Sequence, residues 1–324
     1  MTRRPLGLLA GLLCTSLCTA VISACGVTTG PGADDGRLQV VAAFYPLQYA
    51  VQQVGGQHVT VTGLTKPGAE PHDLELSPRQ VARIAQADVV VYESHFQPAV
   101  DAAVDDQAPK TALDVSSAAR LDLLAVDDGH DDADHADQGA GGTTEQHADH
   151  GARDPHFWLD PLRYADVGDA IAGRLAERDP ANAAAYRVNA AAFRASMTTL
   201  DAEFRSGLES CAVDELVTSH AAFGYLARTY GFHQESITGL TPDAEPSPAA
   251  MAQLTRHIRE TGARTVYAET LVSEDVARTI ARETGARLAL LDPIEGITTA
   301  SAGRDYPSVM RANLQVLRAG QECS

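Results

Sequence analysis

Two runs of alternating strand-length and helix-length apolar segments, split by one long stretch of helical periodicity, constrain this chain more than any other feature. In the first run, Leu38 to Tyr45 reads as a buried strand. A helical pattern through Leu47, Ala50, Val51 and Val54 follows and stops at Gly55 and Gly56. Val59 to Leu64 and Asp88 to Tyr92 are further strands. Between them Ser77 caps a helix that has Pro78 at its first position and Val81, Ile84 and Ala85 facing inward. The second run has strands at Leu216 to Ser219, Phe232 to Ile237, Thr265 to Ala268 and Arg287 to Leu291. Its helices are Pro248 to Glu260, Glu274 to Glu283 and Tyr306 to Leu317, with Gly262, Gly285 and Gly320 as stops. Strands that alternate with helices imply an α/β fold whose sheets are mainly parallel and covered on both faces.

Between the runs, Tyr186, Asn189, Phe193, Met197, Leu200, Phe204 and Leu208 recur at three- and four-residue steps after a break at Asp179-Pro180. A helix from Asn182 to Leu208 would span about 40 Å at about 1.5 Å per residue. It suits a rod that joins two β/α lobes. The expected organisation is a leader over 1–24, a tether over 25–37, a first lobe over 38–165, a linking helical region over 166–210 and a second lobe over 211–324.

The N-terminus points to export. Arg3 and Arg4 precede the apolar stretches Leu6 to Leu13 and Leu17 to Ile22, and small residues lead into Cys25. This pattern resembles a bacterial lipoprotein signal cleaved before a lipid-bearing Cys25. An ordinary signal peptide or a short anchor is the plainer alternative. Cys14 and Cys18 leave with such a leader, so Cys211 and Cys323 remain as a pair in an oxidising compartment, where a disulfide is the default expectation. The formal net charge of −18 offers no basic stripe for phosphates, which argues against nucleic-acid binding.

Composition shifts abruptly over 127–152. His130, His135, His147 and His150 stand among aspartates and glycines, with almost nothing apolar except alanine. The segment cannot bury enough surface to fold alone, and its imidazoles and carboxylates suit weak auxiliary metal binding.

Four separated segments each offer one transition-metal ligand: His72, His156, His220 and Asp292. Three imidazoles and a carboxylate form a shell that Zn²⁺ accepts. His72, His220 and Asp292 follow strand ends, where open α/β sheets place their ligands. Glu70 could reach the same ion and compete with Asp292. Glu269, at the end of the Thr265 to Ala268 strand, could hold a ligand imidazole by its other N–H or simply cap a helix. A zinc hydrolase is the enzyme-class rival. However, the chain has no His-Glu-x-x-His and no Gly-x-Ser-x-Gly, and four protein ligands would close the shell to substrate.

The segments Pro67 to His72, Asp154 to Pro161, Ser219 to Tyr225, Glu245 to Pro248, Leu291 to Pro293 and Tyr306 to Leu314 resemble, in order, the cluster A-I metal-binding lipoproteins. These are the solute-binding components of zinc and manganese ABC importers. The resemblance runs from Leu38 onward. It implies two β/α lobes joined by one long helix, a metal in the cleft between them, and a membrane permease with its ATPase as partners. It also implies a monomer lipid-anchored to the outer face of the bacterial cell membrane, with no catalytic activity. Matched residue by residue, His72 and His156 come from the first lobe, and His220 and Asp292 from the second. Histidine rather than a carboxylate at position 220 points to Zn²⁺ over Mn²⁺. The 127–152 segment resembles the histidine-rich loop of zinc-type members. A manganese carrier or a metal-dependent surface adhesin is the alternative within the same family.

Overall fold

The computed structural model describes residues 36–124 and 153–324. The leader, most of the tether, Cys25 and the segment with His130, His135, His147 and His150 lie outside the described residues.

The first lobe comprises β1 (Leu38–Ala42), α1 (Tyr45–Gly55), β2 (Val59–Gly63), α2 (Pro78–Gln86), β3 (Val89–Tyr92), α3 (Pro98–Gln107), β4 (Ala112–Asp114) and the short α4 (Ser116–Ala119). Two long helices follow, α5 (Pro161–Arg178) and α6 (Ala183–Gly207). The second lobe comprises β5 (Glu215–Thr218), α7 (Gly224–Tyr230), β6 (His233–Ser236), α8 (Pro248–Thr261), β7 (Thr265–Ala268), α9 (Asp275–Thr284), β8 (Arg287–Leu290) and α10 (Tyr306–Gly320).

Each lobe holds one four-stranded parallel sheet, in the orders β2-β1-β3-β4 and β6-β5-β7-β8. The chain reverses its winding between β1 and β3 in one sheet and between β5 and β7 in the other. Such switch points open a crevice at the carboxyl ends of the strands. Val89, Val90 and Val91 are fully buried, as the central strand of a doubly covered parallel sheet requires. Ser77 caps α2 through a reciprocal pair of bonds with Gln80, and Pro78 is pre-set at the first helical turn.

The strand from Leu38 is shorter than its apolar run suggests. It ends at Ala42, and Tyr45 and Pro46 already open α1. The central rod is α6, 25 residues and so about 37 Å long at about 1.5 Å per residue. It packs along α5 and touches α1 in the first lobe and α10 in the second. Buried Tyr164, Tyr186, Phe193, Phe204, Tyr306 and Leu314 belong to one core shared by both lobes, and the described residues from Gly36 onward belong to a single compact unit. A smaller cluster around Val217, Leu254, Ile258 and Val266 fills the far side of the second sheet.

A Cys211–Cys323 disulfide ties the start of the second lobe to the C-terminal tail across 112 residues of sequence. Among the described residues no helix is long and apolar enough to cross a membrane.

Candidate four-donor metal centre between the sheets

His72 lies in the loop between β2 and α2. Its own N–H and that of Asp73 donate to the Glu70 carboxylate at 2.9 and 3.2 Å, which fixes the turn. The imidazole stands edge-on to Phe96, with ring centroids 4.6 Å apart. His156 precedes α5. Its backbone N–H donates to Asp154 Oδ1 at 2.9 Å, and its Nδ1 lies 2.8 Å from the same oxygen. Trp158 packs against its ring and donates from Nε1 to the Pro293 carbonyl at 2.7 Å, which ties this segment to the second lobe.

His220 lies two residues beyond β5, at the switch point of the second sheet. Glu269, the residue after β7, grips it twice: the His220 N–H donates to Oε1 at 2.9 Å, and Nδ1 lies 2.6 Å from Oε2. A carboxylate at Nδ1 anchors that side of the ring and turns Nε2 into the cluster, where loss of its proton would make it a metal donor, and both His156 and His220 have such a partner.

The three imidazoles converge by Nε2 on Glu295, in the loop between β8 and α10. Glu295 Oε1 is 3.1 Å from His72 Nε2, 3.1 Å from His156 Nε2 and 3.4 Å from His220 Nε2. The His72–His156 and His156–His220 Nε2 separations are 3.3 and 3.4 Å. A tetrahedron whose centre lies about 2.0–2.1 Å from each donor has edges of about 3.3–3.4 Å. The donor atoms therefore already stand at the spacing of a four-coordinate transition-metal shell. His156 and His220 are 0 % exposed and Glu295 is 1 % exposed, so a captured ion would be shielded from water.

The electrostatics follow from this packing. Burial alone would raise the Glu295 carboxyl, but hydrogen bonds from His156, His220 and His72 outweigh it and hold the group well below the usual carboxylate range. Burial disfavours the charged form of His220, yet Glu269 and Glu295 overcome it and push its pKa up to about 10. For His156, Asp154 and Glu295 likewise overcome burial and the net shift is upward. His72 goes the other way, because burial exceeds the pull of Glu295.

Of the four residues expected to converge, His72, His156 and His220 do so and Asp292 does not. Asp292 is braced into the local architecture through its backbone and Oδ1, while its Oδ2 is buried without a hydrogen-bond partner among the described residues. Its N–H donates to Asn313 Oδ1 at 3.0 Å, Asn313 Nδ2 donates to its carbonyl at 2.7 Å, and its Oδ1 accepts the Ile294 N–H at 2.8 Å. That brace holds Ile294 at φ 60, a left-handed conformation that a β-branched residue rarely adopts. The turn carries Glu295, three residues on, into the cluster, at the place where Asp292 was expected. The sequence places Glu295 between Ile294 and Gly296, but nothing local marks it over Asp292. Asp154 as the partner of His156 was also not anticipated. Glu70 stays outside the four-atom cluster with its carboxylate engaged by the loop, and burial raises its pKa to about 7 against the pull of the His72 N–H.

Comparison with known proteins agrees with this architecture. Residues 40–320 match the ZnuA family, described as zinc-uptake complex component A, periplasmic. The chain is 36% identical over 290 residues to the zinc-binding protein AdcA of Streptococcus pyogenes, covering 88% of this chain and 56% of that protein. It thus spans little more than half the length of the AdcA proteins it matches. It is 32% identical over 315 residues to the high-affinity zinc uptake system protein ZnuA of Bacillus subtilis, covering 95% of this chain and 96% of that one. Among solved structures, the Zn(II)-bound ZnuA-like domain of Streptococcus pneumoniae AdcA superposes with a TM-score of 0.70 at 32% identity, over 89% of this chain and all of that domain. The laminin-binding protein Lbp of S. pyogenes superposes with a TM-score of 0.71 at 28% identity, over 88% of this chain and 99% of that one. With two switch-point sheets, a long joining helix and four converging donors, the chain belongs to the ZnuA family of zinc-uptake components.

Proposed function

We propose that this protein is the extracytoplasmic zinc-binding component of an ABC importer, with His72, His156, His220 and Glu295 as the ligands of its cargo. The carrying observation is the convergence of three Nε2 atoms and one carboxylate oxygen at 3.1–3.4 Å. Three imidazoles with one carboxylate suit Zn²⁺, whereas Mn²⁺ favours shells richer in oxygen. The role is non-catalytic, since four protein donors close the shell.

His72 and His156 hold the ion from the first lobe, and His220 and Glu295 hold it from the second. The lobes run over 38–165 and 211–324, with 166–210 as the linking region. In this reading the protein acts as a monomer, held to the outer face of the cell membrane by lipid on Cys25. It passes zinc to a membrane permease driven by a partner ATPase, and the 127–152 segment binds zinc weakly. A specific likeness favours adhesion as a second role, because the laminin-binding protein Lmb of Streptococcus agalactiae, 29% identical, is a bifunctional protein with adhesin and metal-transporting activity.

Zinc affinity measured by competition on the chain from Cys25 onward tests the ligand set. Glu295→Gln should weaken zinc by more than about tenfold, as losing one charged donor from the shell implies. Asp292→Asn should leave affinity within a few-fold and instead lower thermal stability. The reverse ranking would return Asp292 to the shell and remove Glu295 from it.

A further inference from the structure

A second group of metal donors lies on the second sheet, outside the cleft. Glu215 opens β5, Glu235 lies on β6, and His257 lies on α8. One donor atom from each falls within 4.8 Å of the other two. The placement follows from the strand period. Glu215 and Val217 share a face of β5, and the parallel register sets Glu235 directly across from Val217, so Glu235 faces the same way. Helix α8 covers that face, with Leu254 and Ile258 packed in the same cluster as Val217. His257, next to Ile258, directs Nε2 to Glu215 Oε1 at 2.7 Å.

Glu215 is 8 % exposed and Glu235 is exposed at the sheet edge, so the group is anchored on its inner side and open on its outer side. Among the described residues, no arginine or lysine forms an ion pair with Glu215 or Glu235. Two like-charged carboxylates therefore share one face with only an imidazole between them.

The geometry points to a second divalent transition-metal site at Glu215, Glu235 and His257. One imidazole and two carboxylate oxygens suit Zn²⁺ or Mn²⁺, with Zn²⁺ bound more tightly at equal concentration. Water completes the shell on the open side. Three donors open to solvent on one side bind more weakly than the four donors of the cleft. The ion would clamp edge strand β6 to central strand β5 and to α8. This site does not rest on the cleft assignment, because the two share no residue.

Histidine carbethoxylation read by mass spectrometry on the full chain tests the site at residue level, with Zn²⁺ itself as the probe. Zinc in roughly tenfold excess over the site's dissociation constant should slow His257 modification about tenfold, since protection scales as one plus that ratio. Glu235→Gln should abolish this protection while the tight cleft equivalent of zinc remains. His220→Ala should weaken the cleft and leave His257 protection unchanged, which separates failure of one site from failure of the other. His257 reactivity unaffected by zinc up to millimolar concentration would overturn the proposal. So would protection that persists in Glu235→Gln.

Discussion

The two lobes use one sheet order but equip their switch points differently. In the second lobe, His220 follows β5 and Glu269 follows β7, and the pair is bonded at 2.6 Å across a sequence separation of 49. In the first lobe, Val40 pairs with Val89 and Ala42 with Val91, so extending that register two residues sets Phe44 opposite Glu93 at the same separation. Phe44 packs on Phe96 and Trp158, at 4.8 and 5.2 Å between centroids, and Phe96 in turn walls His72. Glu93, lacking an imidazole opposite it, is buried, and neither oxygen has a hydrogen-bond partner among the described residues. One lobe thus sends an imidazole from its sheet crevice into the cluster. The other fills the equivalent place with an aromatic wall and brings His72 and His156 in from loops.

The sharpest way to break this contrast is His220→Ala. It removes the only donor mounted at a switch point and should lower zinc affinity by more than about 100-fold, on the scale of roughly 3 kcal/mol per donor in a four-donor site. Competition against a chelator of known affinity would measure it, and an unchanged affinity would mean that the second sheet does not hold the ion. Glu269→Gln comes next. It keeps His220 but replaces the carboxylate that orients it, for which about 10- to 100-fold is usual. If the Glu269 bonds to His220 only stabilise the fold, affinity will not move and melting temperature will.

The contrast also shows how far the sequence could be read. Alternating apolar runs placed most strands within one or two residues, because a buried parallel strand such as Val89–Tyr92 is apolar throughout. The three histidines were legible because strand ends and neighbouring prolines mark such positions. The fourth donor was not. Choosing Glu295 over Asp292 depends on a left-handed Ile294 and on a clasp from Asn313 in α10, contacts that no local pattern encodes. The shared core was likewise out of reach. A helix read as a bare rod is packed against α5, since Asp179-Pro180 turns the chain back into a helical hairpin rather than merely interrupting it.

Proton competition sharpens the comparison from the donor side. Burial opposes a charge on His220, but Glu269 and Glu295 push its pKa up to about 10, so near neutrality the imidazole carries a proton that an incoming cation must displace. Zinc affinity should therefore rise with pH by about tenfold per unit for each proton released, and fall as the medium is acidified. Calorimetry in buffers of different ionisation enthalpy would count the protons. A count of zero near pH 7 would contradict the charge assigned to this pair.

The smallest effect comes from the lobe without a ligand at its switch point. Burial, then the charges of Asp154, Asp114 and Asp101, raise the Glu93 carboxyl well above its ordinary range. A folded-state pKa above the unfolded one gives stability that is complete below the unfolded value and is lost as pH rises through the folded value. Wild type should therefore lose stability from the ordinary carboxylate range upward. Glu93→Gln has no proton to lose, so it should match wild type near pH 4 and exceed it by about 1–3 kcal/mol near pH 7.5, the scale of an unpartnered buried polar group. Zinc affinity should not change, because Glu93 is not among the four converging donors. Denaturant midpoints at the two pH values test this directly. Parallel curves would mean that Glu93 is ionised and has a cationic partner outside the described residues, in which case the first lobe would also use its switch point to hold a charge.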